Sequence, residues 1–192
     1  YEKDVKSIDA IITALYDVIS GEIGEERDWV RLRYLFHKTA MLRSVRKNKE
    51  GIVEINVASP NEYIKRVGPS LIKNGFFERE IGRRTNRYRY ITHVFSTYDS
   101  RNSATEKYPS ARGINSIQLI YDNNRWWVIS ILWNGETEED LARKKSFSLS
   151  KKKMVLGSLF DSEENDSGKK NNSPLSHFPL SESILFRHQN RV

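Results

Sequence analysis

The sequence predicts an α+β domain over residues 1–140 followed by a tail, 141–192, outside its core. Three observations carry this. Apolar residues recur at three- and four-residue spacing near the start, and at two-residue spacing from about residue 76 to 133. All nine tyrosines and all four tryptophans lie before Asn134, after which Ser, Lys and Asn dominate with no sustained period, the composition of a disordered segment.

Val5, Ile8, Ile12, Leu15, Tyr16 and Ile19 form the stripe of an amphipathic helix, widened by Ile11 and Val18 and ended by Gly21. Asp28 is a good N-cap for a second, shorter helix with Trp29, Leu32 and Phe36 inward. Strands over Met41–Val45 and Ile52–Val57 flank a polar turn. Ser59-Pro60-Asn61-Glu62 then combines a cap, a first-turn proline and a capping-box glutamate. The third helix so begun is expected to kink at Gly68-Pro69 and close at Asn74-Gly75.

Long strands follow over Phe76–Asn86 and Tyr88–Arg101. The clearest hairpin joins Ile114–Tyr121 to Trp126–Trp133 through Asp122-Asn123-Asn124-Arg125, where asparagine tolerates positive φ. Strict alternation puts Ile114, Ser116, Gln118, Ile120, Trp127, Ile129, Ile131 and Trp133 on one face. Asn115, Ile117, Leu119, Tyr121, Trp126, Val128, Ser130 and Leu132 take the other. Both faces are largely apolar, so helices should cover one and something else, such as a second subunit, the other.

Charge argues against a nucleic-acid partner. The net charge is +7, but residues 1–142 carry 22 Lys and Arg against 20 Asp and Glu, and the remainder 10 against 5. The excess therefore sits in the tail. The run Arg79, Arg83, Arg84, Arg87 and Arg89 has Glu78 and Glu80 beside it and reads as a solvated, charge-protected sheet edge. Cysteine is absent, which excludes thiolate metal sites and cysteine nucleophiles. No histidine pair has ligand spacing with a carboxylate, so neither a metal nor a cofactor is expected. The compartment stays open, because a signal peptide removed before Tyr1 would leave no trace.

Arg27-Asp28-Trp29 with Leu35-Phe36-His37, Ser59-Pro60-Asn61-Glu62-Tyr63, Phe76-Phe77-Glu78-Arg79-Glu80, His93-Val94-Phe95-Ser96-Thr97-Tyr98 and the stretch 112–133 together resemble the nuclear-transport-factor-2-like superfamily, in its SnoaL-like branch. The resemblance implies a cone-shaped curved mixed sheet wrapped around three helices, a deep pocket, and often a homodimer through the sheet's outer face. It leaves function open among isomerases, dehydratases, cyclases, ligand carriers and interaction domains. The enzymes among these use a carboxylate base with tyrosine, histidine or a second acid.

In such a pocket His93 is the candidate acid or base. Trp29, Trp127, Trp133 and Tyr98 could wall an apolar or aromatic ligand, and His37 could line the mouth. Ser116 and Gln118 share the predicted face of Trp127 and Trp133, where polar groups need hydrogen-bond partners. The expected partner is a small organic molecule.

Overall fold

The computed structural model describes residues 1–137 and 140. The expected tail, 141–192, lies outside the described residues. A 3-10 turn, Glu2–Val5, leads into helix α1, Ile8–Ile19, whose Ser7 cap accepts from the Ala10 N–H. Helix α2, Trp29–Leu35, starts at Asp28, which accepts from the Arg31 N–H. Strands β1, Phe36–Lys47, and β2, Val53–Ala58, are followed by α3, Pro60–Asn74, on the predicted Ser59–Glu62 capping box. Strands β3, Phe77–Tyr88, β4, Ile91–Arg101, β5, Ala111–Asp122, and β6, Arg125–Gly135, complete the order.

The strands form one six-stranded sheet in the order β2-β1-β6-β5-β4-β3. Only β1 and β6 run parallel; every other pairing is antiparallel, so the sheet is mixed. Ile11, Ile12 and Val18 of α1 pack with Leu35, Val94, Ile117, Leu119 and Val128 in a core on one face of this sheet. Pairing slips between Phe36 and Met41 in β1, between Glu80 and Gly82 in β3, and opposite Gln118–Leu119 in β6. Each extra residue bends its strand and sharpens the local twist, which curves the sheet around the helices.

Several local readings are corrected by the fold. Pro69 sits inside α3, whose helical span continues past it to Asn74, and Gly75 closes the helix as expected. The β3–β4 turn falls at Arg89-Tyr90, with Arg89 at φ 48°, two residues beyond the predicted junction. The Asn123-Asn124 turn is as expected, at φ 49° and 60°, and sets Tyr121 opposite Trp126 and Ile120 opposite Trp127.

Alternation then fails. Leu119 pairs with Val128 but Gln118 pairs with Ser130, leaving Ile129 as a bulge. Beyond it the faces exchange, so Ile131 and Trp133 join Asn115 and Ile117, and Ser130 and Leu132 join Ser116 and Gln118.

Candidate functional site

The helices and the sheet's concave face enclose a cavity of about 370 Å³. Leu15 and Ile19 come from α1, Leu71 from α3, and Ile117, Ile131 and Trp133 from the sheet; most of the wall is apolar. Polar side chains break it at Tyr16, Glu78, Tyr98, Ser100 and Asn115, with Tyr63 projecting from α3. Tyr63 meets Trp133 edge-on, ring centroids 6.4 Å apart. Gly113 makes room for Tyr98, because a Cβ there would lie 2.5 Å from the phenol oxygen.

Glu78 is the charged group of this wall. Its N–H donates to Ser20 Oγ at 3.0 Å, which holds the start of β3 against the end of α1. Desolvation in the cavity pushes the carboxyl up to about 7, although the amide of Asn115, donating from Nδ2 to Oε1 at 3.2 Å, pulls the other way. Burial also pushes Tyr16 and Tyr98 up to about 12, and burial together with the Glu78 charge raises Tyr63. The three phenols therefore stay protonated at neutral pH. Tyr16 is committed to Ser96 and Asn115. Among the described residues the Tyr63 and Tyr98 hydroxyls have no hydrogen-bond partner, which leaves two donors available to a bound molecule.

The residues singled out from sequence are scattered by the fold. Trp133 lines the cavity. Trp29 packs its ring on α3, where a Cβ on Gly68 would lie 3.1 Å from it. His37 holds Thr39 Oγ1 at 2.8 Å and stands edge-on to Trp127, ring centroids 5.9 Å apart; the Arg125 guanidinium covers the Trp127 ring at 3.5 Å. His93 is on the opposite sheet face, its Nε2 2.9 Å from Ser116 Oγ. It lines a separate pocket of about 360 Å³ with Gln118 and Ile129, not the cavity that holds Glu78.

Strict alternation thus put Ser116, Gln118 and Trp127 on the face of Trp133, and the Ile129 bulge separates them from it; His93, paired with Gln118, lies with them. The missed residues are Glu78, Tyr16, Tyr63 and Asn115. Asn115 was detectable as a polar residue among the apolar positions of the Ile117–Leu119 face. Glu78 was hidden by its charged neighbours: Arg79 turns out to Asp99 at 2.9 Å and Arg83 back to Glu80, while Glu78 just before them turns in.

A curved mixed sheet packed over helices with a cavity between them is the arrangement of the nuclear-transport-factor-2-like, or cystatin-like, fold. No family model matches the sequence, and no curated protein matches it. Solved structures do resemble the chain. A protein of unknown function with a cystatin-like fold from Nostoc punctiforme superposes with a TM-score of 0.53 at 10% identity, over 68% of this chain and 90% of its own. A protein from Kribbella flavida gives 0.50 at 9% identity, over 68% and 88%. A candidate dehydratase of the same fold family from Streptomyces avermitilis gives 0.50 at 11% identity, over 70% and 96%. At such identities the likeness is one of fold.

Proposed function

We propose that the cone binds a small, largely apolar organic molecule and that Glu78 takes a proton from it, in a cofactor-independent isomerisation or dehydration. The observation that carries this reading is a carboxyl buried in the wall of an apolar cavity, where desolvation pushes it up to about 7, with two uncommitted phenol donors close by. A base works best when its pKa lies near the working pH, and the phenols supply donors for the oxyanion formed when a proton leaves carbon next to a carbonyl. Tyr63 and Tyr98 take that role here, and Trp133 with its aliphatic neighbours excludes water.

The test is exchange of α-protons for deuterium in a panel of small apolar ketones and aldehydes, followed by NMR in heavy water. The protein is expected to speed exchange for those that fit, and Glu78→Gln to lower that rate by about 10²–10⁴-fold. Binding without any Glu78-dependent exchange would leave a ligand carrier. Native mass spectrometry of the protein from its source would identify a molecule that travels with it.

The outer sheet face favours a second, compatible reading as a homodimer surface. Ile55 is 62% exposed, Ile91 59% and Phe95 45%, and their strand pairings put all three on this face. Sedimentation should show a dimer that Phe95→Glu weakens; a monomer at all concentrations would refute it. No described helix is long and apolar enough to cross a membrane. The boundary near residue 140 remains part of the proposal.

A further inference from the structure

We infer that Glu80, outside the cavity, is a positioning residue: through Ser96 and Tyr16 it fixes which end of the Asn115 side-chain amide faces Glu78. The inference rests on Glu78 being the working carboxyl of the site.

Six side chains, from Arg83 to Glu78, form one hydrogen-bonded chain. Arg83 clamps Glu80 with Nε at 2.9 Å from both carboxylate oxygens and Nη2 at 2.6 Å from Oε2. Ser96 Oγ donates to Glu80 Oε1. Tyr16 and Ser96 hydroxyls lie 2.7 Å apart, Asn115 Nδ2 is 3.1 Å from the Tyr16 oxygen, and the same nitrogen reaches Glu78 Oε1 at 3.2 Å. Ser96 is fully buried, and Tyr16 and Asn115 are 6% and 9% exposed.

Donor counting sets the direction. A carboxylate held by Arg83 can only accept, so the single Ser96 proton goes to Glu80. Ser96 then accepts from Tyr16, whose only proton is thereby spent. The Tyr16 oxygen must accept in turn, and the neighbour that donates to it is the nitrogen end of Asn115. Its two protons serve Tyr16 and Glu78. The amide thus offers Glu78 a donor, which favours the carboxylate that can accept a substrate proton and leaves Oε2 uncommitted.

Glu80→Gln should reverse the chain. The glutamine oxygen stays on the Arg83 cation, so its amide nitrogen donates to Ser96. Ser96 then donates to Tyr16, Tyr16 to Asn115, and Asn115 turns its oxygen toward Glu78. Facing an acceptor, Glu78 holds its proton more tightly.

The prediction has a sign that simple charge removal does not share. Deleting a nearby anion lowers a carboxyl pKa, whereas reversal raises it. The other titratable groups facing Glu78 are Tyr16 from α1, Tyr63 from α3 and Tyr98 from β4; all three are phenols held protonated by burial, so none adds a charge in the variant.

The experiment is a carboxyl-carbon NMR titration of the full chain labelled at glutamate. Glu80→Gln should raise the Glu78 pKa by about one pH unit, the worth of one hydrogen bond to a charged group. Ser96→Ala, which cuts the chain with no change of charge, should raise it too and decides the matter if the first variant does not fold. A downward shift or none, in the variant that folds, overturns the proposal. A wild-type Glu78 titrating near 4.5 would instead sink the proton-transfer reading, while the direction of change in the variants would still judge this one.

Discussion

Glu78→Gln is expected to make the domain more stable by about 2–3 kcal/mol at pH 8 and to change it little at pH 4. The carboxyl is raised from its ordinary 4.5 to about 7, principally by desolvation. Between those values the folded protein keeps a proton that the unfolded chain has released. Folding therefore takes up a proton in that window, and stability falls as pH rises through it. Above 7 the full cost of a buried carboxylate is present; below 4.5 both states are protonated and the cost vanishes. Glutamine occupies the same space without the charge, and its oxygen can still accept from Asn115. Urea denaturation of both proteins at the two pH values measures the difference. An equal or lower stability of the variant at pH 8 would mean that Glu78 titrates as an ordinary surface acid. A gain in stability with loss of proton exchange would mark Glu78 as a group kept at a stability cost for its chemistry.

Arg27→Met is expected to destabilise the domain by about 3–5 kcal/mol, as loss of a buried hydrogen-bonded charge does. Arg27 is 6% exposed. Its guanidinium donates to four backbone carbonyls. Nε reaches Ile19 at the end of α1 at 3.1 Å; Nη2 reaches Gly21 at 2.6 Å and Leu71 in α3 at 3.2 Å; and Nη1 bonds Glu25. Two of these carbonyls belong to the last turns of helices, where the backbone leaves acceptors unpaired and the dipole favours a cation. Gly21 is required beside it, since a Cβ there would collide with the guanidinium. The same residue bridges to Phe76, with N–H to O distances of 2.7 and 3.0 Å, and so ties the end of α1 to the start of β3 two residues before Glu78. Methionine keeps the apolar stem and strands the carbonyls. Arg27→Lys should recover only part of the loss, because one ammonium cannot reproduce a planar fork. A cost under about 1 kcal/mol for Arg27→Met would show that water replaces the guanidinium freely.

The elements whose formation depends on neighbouring residues were legible in the chain. Ser59 and Glu62 cap α3, Asp28 caps α2, and Asn123-Asn124 turn β5 into β6 with both residues at positive φ. Each is a contest between a side chain and the backbone a few positions away, so residue identity decides it. The α+β class, the mixed character of the sheet and its curvature agree with what the resemblance implied.

The site was less legible. Two-residue periodicity carries no mark of where a strand takes an extra residue. Ile129 looks like any other apolar position, yet its bulge turns Trp133 into the cavity and leaves His93, Ser116 and Gln118 behind on the far face. The bulge depends on how β6 fits between β1 and β5, two partners remote in sequence. Glu78 is the sharper case. By its neighbours it belongs to a charged edge strand, and β3 is indeed the edge. What makes it a candidate base is a wall assembled from α1, β4 and β5, with α3 beside it. The sequence by itself determined which segments are helix, strand and turn, because those choices are settled within a few residues. The tertiary structure alone decided which side chains share the cavity and how tightly Glu78 holds its proton, because desolvation depends on everything packed around a group.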